Sequence, residues 1–227
     1  MLNLIFDADD TLWENNVLFE RAIDAFIDYV AHPTMTRQQI RAVLDEIELV
    51  NCRMYGYGVA VFQRSLTDCL HRLRDGAAPG ETDEELLVRL CQPMREGEVE
   101  VLHGVAETLA ALRERHRLAL LTKGDPADQR RKLASSGLGD LFEDVEIVPE
   151  KEPRVYRSFV AARGLDPATT WMIGNSPKSD VWPALDAGLG AVLVPHPHTW
   201  TLEERELPTG SDRFLVVDSI PRLLDRF

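Results

Sequence analysis

Leu2-Asn3-Leu4-Ile5-Phe6-Asp7-Ala8-Asp9-Asp10-Thr11-Leu12 stands at the start of the chain, and the change of character inside it decides the fold. Leu2 to Ala8 is a short apolar run, dense enough for a strand buried on both faces. Acids follow where such a strand leaves its sheet. Ligands of a parallel sheet sit beyond the carboxyl ends of the strands, so Asp7 and Asp9 occupy the productive place. Two alternating carboxylates can divide the work of phosphoryl transfer. One attacks phosphorus and forms an aspartyl-phosphate. The other gives a proton to the leaving oxygen and then takes one from water. In a purely structural role the same residues would form an Asp-rich turn that ends a strand and caps a helix.

Similar apolar runs recur downstream, each after a helical pattern. Leu118–Thr122 follows a helix predicted over about Val105–Arg115, and Val145–Val148 follows one over about Ala127–Ser136, stopped by Gly137. Thr170–Gly174 follows Arg154–Arg163, and Ala191–Val194 follows Ser179–Ala187 with Gly188 beyond. Phe214–Val217 is a candidate edge strand, and Ser219 is placed to cap a terminal helix ending at Phe227. Strands alternating with helices of this length predict βαβ units and a mostly parallel sheet flanked by helices.

One stretch breaks the alternation. From about Val17 to Arg95 the periodicity is helical, with helices expected over Val17–Val30, Arg37–Leu49, Val59–Arg74 and Glu84–Arg95. Thr36 and Thr82 are candidate N-caps, Thr82 with Glu85 in capping-box spacing. The chain therefore divides into an α/β core, residues 1–13 and 100–227, and a helical cap inserted over residues 14–99.

Composition narrows the function. The 227 residues carry a formal net charge of -13, which opposes a phosphate-backbone partner, so nucleic acid is excluded. The basic clusters Arg113–Arg117 and Arg130–Lys132 read as solvated helix faces. No apolar run is long enough to cross a bilayer. Cys52, Cys69 and Cys91 are widely spaced and read as reduced thiols, and no basic leader precedes the first strand, so a cytoplasmic protein is expected. Its partner is expected to be a small phosphorylated metabolite, and its assembly a monomer or homodimer.

Three further strand ends carry chemistry. The hydroxyl of Thr122 could hold a phosphoryl oxygen. Lys151, in Pro149-Glu150-Lys151-Glu152-Pro153, could screen the aspartates and neutralise phosphate charge. Gly174-Asn175-Ser176-Pro177-Lys178-Ser179-Asp180 supplies oxygens of the kind magnesium takes, with waters completing its octahedron. Each also has a plain reading, respectively a β-branched strand end, a solvated lysine and a polar helix-capping turn. Tyr55-Gly56-Tyr57-Gly58, between two helices of the insert, combines free backbone with flat amphipathic side chains, suited either to substrate contact or to an interhelical turn. His196-Pro197-His198 follows the fifth run and reads as a structural loop. Trp13 and Trp182, flanking the two acidic motifs, read as packing residues.

The ordered set, Asp-x-Asp-x-Thr, then Thr, then Lys, then Gly-Asn-x4-Asp, resembles the haloacid dehalogenase superfamily, and the helical insert is similar to that superfamily's cap. The resemblance implies a modified Rossmann-like fold and magnesium-dependent phosphatase chemistry. It makes Asp7 the nucleophile and a magnesium ligand, and Asp9 the general acid/base with a ligating backbone carbonyl. Thr122 and Lys151 would bind and orient the phosphoryl group, and Asn175 with Asp180 would complete the metal site. Two positions depart from the common pattern. Asp10 replaces a glycine, removing a permissive backbone residue, and Asn175 replaces an acid. Rival activities on the same pattern are a haloacid dehalogenase, against which Asp9 argues, and a phosphomutase. A non-catalytic binding module that keeps the fold is the rival from another class.

Overall fold

The computed structural model describes all 227 residues, which divide into two compact units, residues 1–16 with 98–227, and residues 17–97. The first unit is built on a six-stranded parallel sheet in the order β3-β2-β1-β4-β5-β6. Its strands are β1 (Asn3–Phe6), β2 (Arg117–Lys123), β3 (Asp144–Val148), β4 (Thr170–Gly174), β5 (Gly190–Leu193) and β6 (Phe214–Val216). β1 is central, with Phe6 level with Leu120 on one side and Ile173 on the other.

The two-fold alternation of strand side chains gives this sheet two apolar faces. Leu4 and Phe6 enter one core with Leu118, Leu120, Ile173 and Val192. Ile5 enters the other with Ala119, Leu121, Met172 and Ala191. Helix α5 (Val105–Arg113) brings Val105, Leu109 and Leu112 to the first face. α7 (Pro153–Ala162) and α8 (Trp182–Asp186) cover the second through Tyr156, Phe159, Val160 and Ala184. Each large apolar side chain so enclosed contributes roughly 1.5–3 kcal/mol relative to exposure, so the all-apolar reading of β1 follows from burial on both faces. α6 (Pro126–Ser136) is capped by Asp125, whose Oδ1 accepts the N–H groups of Ala127 and Asp128 at 2.9 Å, and it ends at Gly137 with φ 69°.

The second unit holds α1 (Asn16–Val30, with Asn16 in the first unit), α2 (Arg37–Tyr55), α3 (Val59–Leu73) and α4 (Glu81–Glu96). They enclose their own core, including Phe26, Leu44, Phe62, Leu66, Leu70, Leu87 and Cys91. Thr36 caps α2 in a reciprocal box with Gln39. Thr82 does not cap α4. The helix begins a turn earlier, and Asp83 Oδ2 accepts the N–H of Gly80 at 2.7 Å, so the buried acid does the capping. α2 runs on to Tyr55, beyond the expected Leu49, and Gly56 at φ 83° ends it. The expected terminal helix is a short 3₁₀ segment, Ile220–Asp225, and Ser219 makes no side-chain cap. No helix is long and apolar enough to cross a membrane.

Glu48 is buried within this unit, and its Oε2 has no hydrogen-bond partner. Burial pushes its pKa from 4.5 up to about 8, with Arg41 opposing and Asp45 and Glu20 adding to the rise. An acid raised on folding binds its proton more tightly in the folded state. Stability is therefore expected to fall as pH rises from 4.5 to about 8, by roughly 2–4 kcal/mol. Glu48→Gln is expected to flatten that fall, which thermal unfolding followed at pH 5 and pH 9 would measure.

Candidate active site

The carboxyl edge of the sheet gathers the side chains that the strand ends predict. Asp7, one residue beyond β1, donates its N–H to the carbonyl of Ile173 at 2.9 Å, which holds it to the end of β4. Lys151 Nζ donates to Asp7 Oδ1 at 2.5 Å and to Asp180 Oδ1 at 2.7 Å, and all three side chains are buried. Burial is the largest influence on Asp7, pushing it up to about 7. Lys151 opposes that rise, and Asp180 adds to it. For Lys151, burial disfavours the charge, but Asp180 and Asp7 outweigh it and hold the ammonium above its ordinary range.

Asp180 lies against the backbone of β4. A Cβ on Gly174 would fall 2.2 Å from Asp180 Oδ2, so only glycine leaves room for the carboxylate there. That oxygen accepts the N–H of Ser176 at 2.9 Å. Thr122 is buried two residues beyond Leu120, the partner of Phe6 in the sheet. Asn175 is oriented on both sides, its Oδ1 accepting the Thr11 hydroxyl and its Nδ2 donating to Thr199 Oγ1, each at 3.3 Å.

Asp9 turns to a different set of partners. Lys132 Nζ reaches its two oxygens at 2.8 and 2.7 Å, Gln129 Nε2 donates at 2.8 Å and Trp13 Nε1 at 2.7 Å. Burial would raise this carboxyl, but Lys132, Gln129 and Trp13 outweigh it and hold it below the usual range. Lys132 is thus no solvated charge. It is buried with Gln129 on the inner face of α6, so the expectation of a solvated face fails at Lys132, whereas Arg130 is exposed. The spacing of three between Gln129 and Lys132, one face of a helix, was the available clue.

Asp10 explains its own departure from glycine. It adopts φ 57°, a conformation aspartate tolerates better than most side chains, and its Oδ1 accepts the N–H groups of Asn15 and Asn16 at 2.9 Å. Its carboxylate is therefore spent on the backbone. His196 from the His-Pro-His loop faces it, with Nδ1 3.8 Å from Asp10 Oδ1 and Nε2 3.3 Å from Glu14 Oε2. Trp13 is fully buried in the core, whereas Trp182 carries the guanidinium of Arg205 over its ring at 4.5 Å. Tyr55 and Tyr57 belong to the helical unit, where the Arg64 guanidinium lies 4.2 Å over the Tyr55 ring.

The donors suit a hard divalent cation. Two carboxylates, Asp7 and Asp180, share one ammonium and leave an excess negative charge. Magnesium is held by one or two carboxylates with neutral oxygens and water, a need that Asp7 and Asp180 would meet in charge and Asn175 and the Asp9 carbonyl in neutral donors.

The model of the haloacid dehalogenase-like hydrolases matches residues 2–188. A phosphoserine phosphatase of Thermus thermophilus is 40% identical over 82 residues, covering 34% of this chain and 33% of that protein. The chain thus matches about a third of that relative's length. The human N-acylneuraminate-9-phosphatase is 22% identical over 200 residues, covering 84% of this chain and 80% of that one. Among solved structures, a haloacid dehalogenase-like family hydrolase from Xanthomonas campestris superposes with a TM-score of 0.83 at 26% identity, over 100% of this chain and 94% of that one. An L-2-haloacid dehalogenase from Xanthobacter autotrophicus has a TM-score of 0.66 at 22% identity, over 100% and 98%, and shares the fold. With its parallel sheet, its acids at the sheet's carboxyl edge and a family match from residue 2 to 188, this chain belongs to the haloacid dehalogenase-like hydrolases.

Proposed function

We propose that this hydrolase is a magnesium-dependent phosphatase that cleaves a small phosphomonoester through an aspartyl-phosphate on Asp7. The observation that carries the reading is Asp7 joined to Asp180 through buried Lys151, with a second acid, Asp9, two residues on. The matches to a phosphoserine phosphatase and an N-acylneuraminate-9-phosphatase support the substrate class.

The residues divide the reaction as follows. A carboxylate oxygen of Asp7 attacks phosphorus, and the bond from phosphorus to the ester oxygen breaks. Lys151 and the Thr122 hydroxyl bind the phosphoryl oxygens. Asp9 protonates the departing oxygen, then takes a proton from the water that attacks the phosphorus of phospho-Asp7. Phosphate leaves and Asp7 is regenerated. Magnesium, held by Asp7, Asp180, Asn175 and the Asp9 carbonyl, would supply positive charge to the phosphoryl oxygens. Residues 1–13 and 100–227 form the catalytic core in this reading. Residues 14–99, including Tyr55 and Tyr57, select the substrate, and the compartment is the cytoplasm.

A screen of phosphorylated metabolites, with magnesium and with chelator, tests the proposal by released phosphate. Magnesium-dependent release supports it. Halide release from 2-haloacids without phosphate release, or isomerised sugar phosphate in place of free phosphate, would overturn it.

Asp9, held ionised by Lys132, must part from that ammonium and take up a proton from solvent before it can protonate the ester oxygen. Asp9→Asn is expected to slow hydrolysis of alkyl phosphates by roughly 10²- to 10⁴-fold. An aryl ester with a good leaving group should lose less in phosphoenzyme formation, since that oxygen needs little protonation. Equal losses on both esters in single-turnover measurements would remove the acid role.

A further inference from the structure

A second buried charge cluster lies behind the Asp7–Lys151–Asp180 group, and no step of the proposed reaction uses it. Its centre is Glu203, on the 3₁₀ turn Thr201–Glu203 between β5 and β6, a segment that carries none of the sequence motifs. Glu203 Oε1 accepts from Lys123 Nζ at 2.6 Å, and Oε2 accepts from the Ser176 hydroxyl at 2.6 Å and from the Ser179 hydroxyl. Lys123 Nζ also donates to Ser179 Oγ at 2.9 Å and to Glu150 Oε1 at 3.4 Å.

From this hub, two short relays run to the candidate site. Ser176 Oγ accepts the N–H of Ser179 at 2.8 Å, and the N–H of Ser176 holds Asp180 Oδ2 at 2.9 Å. Glu150 Oε1 accepts the N–H of Lys151 at 3.0 Å. The ends of β2 and β4 therefore meet at one carboxylate, and the end of β3 joins them through Lys123. A buried ionised carboxylate is costly unless its oxygens are satisfied, and here two hydroxyls and an ammonium satisfy them. The turn that carries Asp180 includes a π-helical stretch, Pro177–Val181, an irregular backbone that needs such external fixing.

We propose that Glu203 is a positioning residue for Asp180. It fixes the Ser176 and Ser179 hydroxyls, these fix the Gly174–Asp180 turn, and the turn sets the carboxylate that a divalent cation would use. The inference rests on the phosphatase reading above, in which Asp180 is a magnesium ligand. If Glu203 only fastened residues 201–203 to the core, its loss would lower stability and leave cation affinity alone.

The test is calorimetric titration of the purified full chain with magnesium, without substrate, together with thermal unfolding. Glu203→Gln, which keeps shape but not charge, is expected to weaken magnesium binding about 10- to 100-fold, the usual effect of losing a partner that orients a ligand. Ser176→Ala, which leaves the Glu203–Lys123 pair in place, is expected to weaken it in the same direction, and decides alone if Glu203→Gln does not fold. Arg205→Ala, which loosens the same segment at the Trp182 ring, should leave binding unchanged. The magnesium dependence of phosphate release should shift in parallel, with KM for substrate at saturating magnesium little altered.

Binding within threefold of wild type in every folded variant of Glu203 and Ser176 would overturn the proposal. So would an equal loss in Arg205→Ala. A wild-type chain that neither takes up magnesium nor releases phosphate would overturn the underlying phosphatase reading, and the proposal with it.

Discussion

Asp7→Asn is expected to abolish phosphomonoester turnover while leaving the fold intact. An amide is a far weaker nucleophile than a carboxylate, and no other acid takes its place. Asp9 is engaged by Lys132, Gln129 and Trp13, Asp10 by the backbone of Asn15 and Asn16, and Asp180 by Lys151 and Ser176. The change also removes a buried charge whose own burial is unfavourable, and Lys151 keeps Asp180 as a partner. Acid-quenched single-turnover reactions with labelled ester should show protein-bound phosphate in the wild type and none in the variant. Turnover by the folded variant at the wild-type rate would remove Asp7 from the nucleophile's place.

Lys151→Met should come next in severity. Its ammonium is the cation shared by Asp7 and Asp180, at 2.5 and 2.7 Å, and the replacement is of similar length but neutral. A cation placed on a transferring phosphoryl group is worth roughly 10³- to 10⁵-fold in rate, and a loss in that range is expected. Removing one partner of a buried ion pair also costs about 3–5 kcal/mol of stability. Activity must therefore be measured where circular dichroism shows the variant folded. A loss below tenfold would show that Lys151 is a structural pillar between two acids, with no part in the chemistry.

Much of this architecture was legible because burial on both faces leaves a plain mark. Leu4-Ile5-Phe6 has no polar alternation, since one residue faces the core of α7 and α8 while its neighbours face that of α5. The residues at the strand ends were legible for the same reason, an acid, a hydroxyl or a lysine being conspicuous after an apolar run. What stayed hidden depends on distant partners. Lys132 meets Asp9 across 123 positions, and beside Arg130 and Arg131 it resembles any solvated base. Glu203 meets Lys123 across 80 positions and Ser176 across 27, in a segment without periodicity. The cap of α4 was misplaced because Thr82 offers a good local pattern, while Asp83 also gains Tyr29 Oη at 2.6 Å and Arg74 at 2.7 Å.

The central place of β1 also bears on how the chain reaches this state during synthesis. β1 is made first, yet its sheet partners begin only at Arg117 and Thr170. An emerging nascent chain thus carries an apolar strand with no neighbour while more than a hundred further residues are added. Residues 17–97 have a core of their own and need not wait. Once they condense, the loop that must close is much shorter than the intervening sequence, and loop-closure entropy falls with it. Its two ends are fastened where Glu14 N–H meets the Glu100 carbonyl and Leu102 N–H meets that of Leu12, both at 2.9 Å. On this argument the helical insert is expected to shorten the closure that brings the first strand to the second, and unfolding it should delay assembly of the sheet.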